Sequence, residues 1–481
     1  MIELKYKLEP YKWQHKAIGM SDKHPNLALL AEMGTGKTGA TVNIVRKRMS
    51  NNQRFMRTLI LAPQVTLFNW RDEFLIHSYI KQENIIVLSK QGSAGKLKQL
   101  DSVLTPEKII IVNYEALLSD KLFNWLKLWK PEILVCDEAH MVKNPKAKRS
   151  KKVATLADQA THKYILTGTP ILNNVTDIFM QYRVLDGGDT FGDSFYVFQS
   201  KYMYDANQAW KGKPNYYPDW QPRTEKYDEL QNKIYTKAIR VLKQDCLDLP
   251  PLIKKKLKVE MSKKQATYYK EMERDFITYV REQQKEGMVV AQLAVTKALR
   301  LQQIVTGFVM DEDGKVIEIA DNPRLNAVKE LLEALQSNHK IILWCSFRHN
   351  YKQLGDLCKE MKIDHVFLTG EMNLEEKRVA MDRFNTDDSC RVIIANRRAG
   401  GIGVNLVAAS YSIVYSRNFN LADELQSEAR NHRGGSQIHD RIVKIDLCAP
   451  NTIDEKVLEA LQNKQDISDK IVELAKEERN V

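Results

Sequence analysis

Short apolar runs alternate with amphipathic stretches along most of the chain, and this alternation predicts its secondary structure. In the first half, the apolar runs that indicate buried strands are residues 27–31, 58–63, 84–88, 108–114, 131–137 and 163–167. Helical spacing separates several of these runs, for example at residues 65–77. Strands that alternate with helices are typical of a parallel sheet covered on both faces, with ligands at the carboxyl ends of the strands. An α/β lobe is therefore expected over residues 1–240.

The same pattern returns in the second half and predicts a second α/β lobe over residues 241–481. The runs that indicate strands are residues 340–346, 365–368, 390–395 and 411–415, with helical spacing at 350–361 and 374–384. Two other stretches are purely helical, an insertion at about residues 262–305 and an amphipathic region from 451 to about 477. We therefore expect two parallel-sheet lobes with a helical insertion and C-terminal helices.

A glycine turn follows the first predicted strand and precedes a predicted helix. The turn consists of Gly34, Thr35, Gly36, Lys37 and Thr38. Such a turn directs several backbone N–H groups and a helix N-terminus at one point, where polyphosphate charge is stabilised. Lys37 would contact the β- and γ-phosphate oxygens, and Thr38 would hold magnesium. The turn therefore predicts a site for ATP and Mg²⁺, although Ala31 replaces the first glycine of the usual pattern.

Two carboxylates follow the strand predicted at residues 131–137. Asp137 would hold the magnesium through water, and Glu138 would orient or deprotonate the attacking water, if both face the glycine turn. Four apolar residues lead directly into this pair, which argues against a solvated acidic turn. His140 has no second histidine at metal-binding spacing, so we expect it to form a hydrogen bond with the segment that follows.

A glutamine precedes the glycine turn, in a helix predicted to begin behind Pro10. Gln14 offers both a donor and an acceptor, which reading the edge of adenine requires. An ordinary surface glutamine is the alternative. Its place just upstream of the turn favours the adenine contact.

Composition limits the classes of function. The formal net charge of +12 suits a polyanionic partner, although solvated lysine faces would give the same excess. No apolar stretch approaches the roughly 20 residues needed to span a bilayer, and the first residues are not typical of a signal peptide. The six cysteines are scattered through mostly apolar surroundings, which favours reduced thiols. We expect a monomeric, cytoplasmic protein without a membrane partner.

A helix that carries two arginines is predicted late in the second lobe. Asn420 has the character of an N-cap, acidic residues occupy the first turn, and a glycine pair ends the pattern, which predicts a helix over residues 421–433. Gln426, Arg430 and Arg433 would share one face of that helix. Two arginines presented together can stabilise charge that develops on a γ-phosphoryl group. We expect Arg430 and Arg433 to complete the ATP site.

Several of these segments carry a family resemblance. Residues 137–150 contain Asp-Glu-Ala-His followed by Lys-Asn and Lys-Arg-Ser, and residues 166–174 read Leu-Thr-Gly-Thr-Pro-Ile-Leu-Asn-Asn. From about Leu8 to about Leu458 the chain resembles the Swi/Snf-type DNA translocases of helicase superfamily two. The resemblance implies two RecA-like lobes that close on ATP and Mg²⁺ and convert hydrolysis into movement along double-stranded DNA, usually without strand separation.

The resemblance also implies further contacts. Residues 399–406 are similar to a family segment that contacts both nucleotide and nucleic-acid backbone, with Gly403 expected at the nucleotide. The DNA would cross the face that carries Pro63, Thr169, Ser346 and Asn405, mainly through its phosphates and so without sequence preference. The chain departs from the family at Arg397, where a threonine is usual.

Other functions fit part of this pattern. A strand-separating helicase that acts on single-stranded, forked or branched DNA would use the same ATP site. An RNA helicase is less favoured, because the segment after Asp137 is similar to that of DNA translocases. A clamp that binds ATP without hydrolysing it is disfavoured by the presence of Glu138, Arg430 and Arg433.

Two stretches outside these motifs also need an interpretation. Residues 195–235 are rich in aromatic side chains and have no clear periodicity. Their rings could stack on nucleic acid, but aromatic side chains are more often buried, so we expect a loop-rich protrusion in which they pack. The lysine run at residues 254–258 is expected to form a solvated strand edge.

Overall fold

Two parallel sheets, each with helices on both faces, form the frame of the protein in a computed structural model. The described residues are 5–90, 92–101, 107–168, 170–171, 174–213, 216–246, 248–282, 287–311, 313–397, 405–418 and 420–473. The expected fold class of two parallel-sheet α/β lobes with helical insertions is confirmed.

The first lobe contains nine helices and nine strands among its described residues. In chain order they are α1 (Lys12–Lys23), β1 (Asn26–Ala31), α2 (Lys37–Asn51), β2 (Thr58–Ala62), α3 (Leu67–His77), β3 (Ile85–Val87), α4 (Gly92–Asp101), β4 (Ile109–Asn113), α5 (Asp120–Trp129), β5 (Ile133–Asp137), α6 (Lys148–Ala157), β6 (His162–Leu166), α7 (Asp177–Asp186), α8 (Phe195–Tyr202), β7 (Met203–Asp205), β8 (Trp220–Pro222), α9 (Tyr227–Tyr235) and β9 (Ala238–Val241).

The sheet of this lobe has the strand order β3-β4-β2-β5-β6-β1-β9, and its neighbouring strands are parallel. The six strands predicted from apolar runs are confirmed with small changes at their ends. β9 was not predicted, because Arg240 interrupts an already short apolar run. The guanidinium of Arg240 donates to the carbonyl of Leu30 over 3.0 Å, which explains how the arginine is accommodated beside β1.

The second lobe follows a short connecting helix, α10 (Lys243–Cys246). Its elements are β10 (Leu252–Lys258), α11 (Lys263–Glu282), α12 (Gly287–Val305), β11 (Phe308–Met310), β12 (Val316–Glu318), α13 (Pro323–Leu335), β13 (Lys340–Cys345), α14 (Arg348–Glu360), β14 (His365–Leu368), α15 (Leu374–Thr386), β15 (Val392–Asn396), β16 (Ala409–Val414), α16 (Leu421–Glu428), β17 (Ile442–Cys448) and α17 (Ile453–Glu473).

The sheet of the second lobe has the strand order β10-β17-β16-β13-β15-β14, again parallel. β10 carries the lysine run and lies at the edge of the sheet with its lysines exposed, as expected. The first sheet ends at Val241 and the second begins at Leu252, so the predicted division at residue 240 falls one residue before the end of β9.

Separate apolar cores hold the lobes and the helical insertion together. One core lies on each face of each sheet. A fifth core joins the inserted helices to α17, through residues that include Tyr269, Leu301, Ile304, Val457 and Leu461. The expected helical insertion and the C-terminal helix are therefore present and pack on each other. Among the described residues, no helix combines the length and apolarity needed to cross a bilayer.

The aromatic stretch divides into two parts. Phe198 and Tyr202 of α8 and Tyr227 of α9 are buried, so the expected packing is confirmed for the two helices. Between them, β7 and β8 form an antiparallel hairpin. Trp210 and Tyr217 in its connection are each 60% exposed, so the expectation of buried rings is wrong there.

Candidate nucleotide site between the lobes

The glycine turn after β1 has the backbone form that a phosphate-binding turn needs. Gly34 and Gly36 have φ of +82° and +87°, a left-handed conformation that strains a residue with a Cβ atom. Gly36 is the residue before α2, which begins at Lys37. The turn therefore leads into the N-terminus of a 15-residue helix, where backbone N–H groups lack partners within the helix.

Two side chains of helix α1 form hydrogen bonds with the backbone of the glycine turn. The indole of Trp13 donates to the carbonyl of Thr35 over 3.1 Å, and the amide of Gln14 donates to the carbonyl of Gly36 over 2.8 Å. The amide oxygen of Gln14 accepts from the backbone N–H of Tyr11, and the side chain is only 4% exposed. Gln14 is therefore engaged with backbone at both ends, and its contact with adenine stays a prediction.

Thr35 and Lys37 differ in what they offer to a ligand. The side chain of Thr35 is buried and donates to the carbonyl of Glu32 over 2.7 Å, so only its backbone can contribute the predicted contact. The ammonium of Lys37 donates to the carbonyls of Ala31 at 2.6 Å and Glu32 at 3.2 Å. Burial lowers the pKa of Lys37. Lys37 and Thr38 both line the cavity between the lobes.

The first predicted carboxylate, Asp137, ends β5, the second follows it directly, and both line this cavity. Oδ2 of Asp137 accepts from the indole Nε1 of Trp70 over 2.8 Å, and Oδ1 accepts from the backbone N–H of Glu138 over 3.0 Å. Burial and the charge of Glu138 raise the pKa of Asp137 to about 6. Burial alone would also raise the pKa of Glu138, but the imidazole of His140 and the ammonium of Lys37 hold it below its usual range. Glu138 is therefore ionised at neutral pH, as a water-orienting base requires.

His140 lies beside Glu138, the candidate general base. Its Nδ1 is 3.3 Å from Oε2 of Glu138. The 3-10 turn Ala139–Val142 begins directly after Glu138 and returns the ring to the carboxylate, and the expected hydrogen bond between His140 and the segment that follows stays a prediction. His140 therefore acts on the charge of Glu138.

The second lobe brings its two arginines to the same cavity, but not on one helix. The predicted helix over 421–433 is wrong in its second half, since α16 ends at Glu428. The carbonyl of Arg430 accepts from the backbone N–H of Leu406 over 3.0 Å, and the amide of Asn431 donates to the carbonyl of Ala409 over 3.2 Å. These contacts hold residues 429–433 as a turn against the segment before β16, in place of further helix. The N-cap at Asn420 is confirmed by its bond from the N–H of Ala422.

Arg433 packs directly on the glycine turn. A Cβ added to Gly34 would lie 3.0 Å from Cβ of Arg433, so the absence of a side chain at Gly34 makes room for the second lobe. Burial and the charge of Arg433 lower the pKa of Arg430 to about 10, while Glu138 favours the charged form. Burial also lowers the pKa of Arg433, which Glu73 of α3 opposes. Each arginine therefore faces a carboxylate of the first lobe.

These side chains surround a cavity of about 1070 Å³ that both lobes line. Gly34, Lys37, Thr38, Asp137 and Glu138 line it from the first lobe, and Gln426, Arg430 and Arg433 from the second. The oxygen donors of Thr38 and Asp137 suit Mg²⁺, which usually takes one or two protein oxygens and completes its shell with phosphate and water. In the described part of the chain, no three His, Cys, Asp or Glu side chains cluster as metal ligands. The residues present therefore fit Mg²⁺ that is bound together with a nucleotide.

Three of the four residues expected to contact DNA lie within the described part of the chain. Pro63 lines the cavity between the lobes. The backbone N–H of Ser346 donates to the hydroxyl of Ser416 over 2.8 Å, and the exposed Asn405 accepts through its carbonyl from the amide of Asn385. Thr169 and Gly403 lie outside the described residues. The DNA contacts of all four candidates and the nucleotide contact of Gly403 stay predictions.

Three residues of the site were missed from the sequence. Trp70 and Glu73 lie three positions apart on α3 and both line the cavity, so the helical spacing of residues 65–77 was a signal for a shared face. Lys243 in the connection between the lobes donates to the carbonyl of His432 over 3.0 Å, and its backbone N–H donates to the carboxylate of Glu32. Burial lowers the pKa of Lys243 to about 8. Nothing in the local sequence marks this lysine as a link between the two lobes.

Two family models match the chain. The model of the SNF2-related domain matches residues 12–310, and that of the helicase conserved C-terminal domain matches residues 323–435. Curated relatives include the CHD3-type chromatin-remodeling factor PICKLE of Arabidopsis thaliana, which is 27% identical over 92% of this chain and 32% of its own length. An uncharacterized ATP-dependent helicase of Mycoplasma genitalium is 25% identical over 96% of this chain and 41% of its own length.

Two further matches are a yeast protein and a solved structure. The transcription regulatory protein SNF2 of Saccharomyces cerevisiae is 24% identical over 98% of this chain and 28% of its own length. The chain thus spans well under half the length of these curated relatives. The SWI2/SNF2 ATPase core of Sulfolobus solfataricus, solved in complex with dsDNA, is 24% identical and has a TM-score of 0.44, covering 97% of this chain and 93% of that one. Because the SNF2-related model alone matches more than half of the residues, the chain belongs to the SNF2-related family of helicase-like ATPases.

Proposed function

We propose that the chain is an ATP-driven motor that moves along double-stranded DNA without sequence preference. One observation carries the proposal: Lys37 and Glu138 of the first lobe and Arg430 and Arg433 of the second line the same cavity. A site built from both lobes is complete only when they are close together. ATP binding and product release would therefore favour closing and opening in turn, and that alternation can produce steps along a strand.

In this mechanism the first lobe binds the phosphates and prepares the attacking water. Lys37 exchanges its contacts with the carbonyls of Ala31 and Glu32 for phosphate oxygens. Glu138, held ionised by His140, orients the water and accepts its proton. Thr38 and Asp137 would hold Mg²⁺, which when bound neutralises charge on the phosphates.

The second lobe supplies positive charge to the group that is transferred. In the structure Arg430 faces Glu138, and Arg433 lies on Gly34 and faces Glu73. A triphosphate in the cavity would give both guanidinium groups a more highly charged partner than these carboxylates. This exchange of partners ties the position of the second lobe to the state of the nucleotide.

Double-stranded DNA as the track is supported by the family and by charge. Relatives of this chain are named as chromatin-remodeling factors. The net charge of +12 favours contact with phosphates, which carry no sequence information. Phosphate contact also means that affinity for DNA should fall steeply as salt is raised.

The experiment that tests this function compares ATP turnover with duplex DNA, single-stranded DNA and RNA, and adds displacement of a third strand from a DNA triplex. We expect duplex DNA to stimulate turnover most and ATP to drive release of the third strand. Lys37→Ala should abolish both activities, whereas Lys47→Ala, in the same helix but outside the cavity, should leave them unchanged.

Three results would contradict the proposal in different ways. Stimulation by RNA alone would make the protein an RNA-dependent enzyme. Unwinding of a forked duplex without third-strand release would favour a strand-separating helicase. Binding of ATP without turnover under all conditions would favour a clamp.

A further inference from the structure

The β7–β8 hairpin presents four aromatic side chains to solvent. Of the seven tryptophans, Trp210 and Trp220 alone are more than about one-third exposed, at 60% and 37%. Tyr217 and Tyr204 of the same hairpin are 60% and 43% exposed. Large apolar groups held in water are unfavourable unless something covers them, so a cluster of this kind marks an interaction surface.

The backbone of the hairpin is held by its own polar groups. The carboxylate of Asp205 accepts from the backbone N–H groups of Asn207 at 2.9 Å and Asp219 at 2.8 Å. The hydroxyl of Tyr216 also donates to Asp205. The amide of Asn207 donates to the carbonyl of Tyr217 over 3.0 Å. Because these bonds hold the described residues 205, 207, 217 and 219, this part of the hairpin loses little backbone entropy when it binds a partner.

Cations accompany these rings. The ammonium of Lys213 lies 4.6 Å from the ring centre of Trp210, and the guanidinium of Arg223 lies 5.8 Å from that of Tyr204. Within the described residues, neither Lys211 nor Lys213 takes part in an ion pair. The main acid of the hairpin, Asp205, is instead committed to backbone N–H groups and Tyr216. The surface therefore combines aromatic faces with Arg223, which pairs with Glu225 at 3.6 Å, and with two lysines that form no ion pair within the described residues.

We propose that this hairpin is a second nucleic-acid site that binds unpaired DNA, with its rings stacked on bases and its lysines on phosphates. Stacking platforms beside positive charge are the usual means of holding single strands without sequence preference. Bases inside a duplex are already stacked, so the rings can reach only unpaired or terminal bases. The lysines interrupt the apolar surface, which suits a polyanion better than the apolar face of a protein partner.

This site is separate from the nucleotide site and adds to the proposed function. None of the hairpin residues that the structure describes lines the cavity between the lobes. The duplex would cross the face expected to carry Pro63, Thr169, Ser346 and Asn405, while the hairpin would hold a flanking single strand. Binding to the hairpin requires no ATP, so it can be tested apart from motor activity.

The test measures binding of the full chain to fluorescently labelled dT20 and to a blunt 20-base-pair duplex by anisotropy, without nucleotide. The double variant Trp210→Ala/Tyr217→Ala should bind dT20 about tenfold or more weakly, since each base stacked on an aromatic side chain accounts for about that factor. Trp210→Phe, which keeps a ring, should retain most of the affinity. Duplex binding and duplex-stimulated ATP turnover should be the same in both variants as in the unmodified protein.

Tyr79→Ala is the matched control. Tyr79 is also 60% exposed and has a lysine over its ring, with Nζ of Lys7 at 5.9 Å from the centre, but it lies outside the hairpin. This variant should bind dT20 as the unmodified protein does. A second measurement uses an oligonucleotide with 5-iododeoxyuridine, and irradiation should cross-link it to the peptides that contain Trp210 or Tyr217.

The proposal is overturned if the double variant keeps its affinity for dT20, which is also the result expected of a protein-docking surface. It is overturned equally if duplex binding falls as much as single-strand binding, or if cross-links form only elsewhere. If the unmodified protein does not hydrolyse ATP, the proposed motor function is contradicted. This binding test is unaffected, because it requires no ATP.

Discussion

The indole Nε1 of Trp70 donates a hydrogen bond of 2.8 Å to Oδ2 of Asp137, across the first lobe from α3 to the end of β5. Trp70 is 1% exposed, so the bond is shielded from water. It favours the ionised form of a carboxylate whose pKa burial and Glu138 raise to about 6. A buried tryptophan thereby helps to keep the candidate magnesium ligand charged.

Replacing Trp70 by phenylalanine should move the acid limb of the pH profile for ATP turnover upward. The ionised form of Asp137 is the one that binds Mg²⁺, so activity falls as pH decreases through the pKa of this group, about 6. Without the indole the pKa rises further, and a hydrogen bond to a charged group of about 1.5 kcal/mol corresponds to roughly one pH unit. Turnover measured from acid to neutral pH at several Mg²⁺ concentrations checks the shift.

Trp344→Phe is the control for the lost packing volume. Trp344 is 2% exposed and lies in β13 of the second lobe, away from Asp137. Trp344→Phe should lower the free energy of unfolding to a similar degree as Trp70→Phe. It should leave the acid limb of the pH profile unchanged. An unchanged limb in Trp70→Phe would show that the indole does not influence the carboxylate.

Gly34→Ala should slow ATP turnover because it obstructs the approach of the second lobe. The new methyl group would lie 3.0 Å from Cβ of Arg433, on a backbone with φ of +82°. Gly314→Ala introduces the same backbone strain at φ of +79°, with nothing within 4 Å. Strain alone costs about 1–2 kcal/mol, so both variants should lose similar stability, and only Gly34→Ala should lose turnover. Equal turnover in the two variants would mean that the lobes do not meet at Gly34 during catalysis.

Glu138→Gln should keep ATP binding and lose turnover. The amide has the size of the carboxylate but cannot accept a proton from water, and loss of a general base costs about a hundredfold or more. Binding of a fluorescent ATP analogue and steady-state turnover separate the two effects. Hydrolysis at the normal rate would remove Glu138 from its role.

Arg430→Ala should lower the maximal turnover rate by about a hundredfold or more, since this is the scale of an arginine that stabilises the transferred phosphoryl group. Arg441→Ala, an exposed arginine of the same lobe, should have no such effect. This interpretation requires that Arg430→Ala can still be saturated with the ATP analogue. Normal turnover in Arg430→Ala would mean that the second lobe does not contribute to ATP hydrolysis through this arginine.

Much of the fold could be predicted from the sequence because most of its strands are uninterrupted apolar runs. β2, β4 and β5 are examples in which nearly every side chain is buried. β17 was missed because Lys444 and Asp446 break its apolar pattern. These charges are tolerated only through partners distant in sequence, such as Glu424 for Lys444 and Arg417 for Asp446. No local pattern can indicate such pairs.

The same reason separates the predicted from the unpredicted parts of the site. Residues such as Lys37 and Asp137 were identified because strand, turn and carboxylate are adjacent in the sequence. The end of α16 at Glu428 was not predicted, because the contacts that stop the helix come from Leu406 and Ala409. Trp70 was placed in a predicted helix, but its bond to Asp137 joins residues that are 67 positions apart.

Glu424→Gln should destabilise the second lobe, because the carboxylate compensates a buried group of cations. Glu424 forms ion pairs with Arg397, Lys444 and Arg417, and Arg397 is 2% exposed. Breaking a buried pair by removing one partner costs about 3–5 kcal/mol, whereas Glu330→Gln on exposed α13 surface should cost almost nothing. Arg397, at which the chain departs from the family, is therefore paired with a carboxylate of α16, the helix that directly precedes residues 429–433 and their two arginines. Urea denaturation followed by circular dichroism measures the difference.

The loss should also depend on pH in a defined direction. Burial would raise the pKa of Glu424, but Arg397, Lys444 and Arg417 hold it well below its usual range. A carboxylate with a depressed pKa in the folded state contributes stability above its unfolded pKa, about 4.3, and loses it as pH falls toward the folded value. The gap in unfolding free energy between the unmodified protein and Glu424→Gln should therefore be full at neutral pH and shrink in acid below about pH 4. A gap that stayed constant on acidification would show that Glu424 contributes through packing and not through its charge.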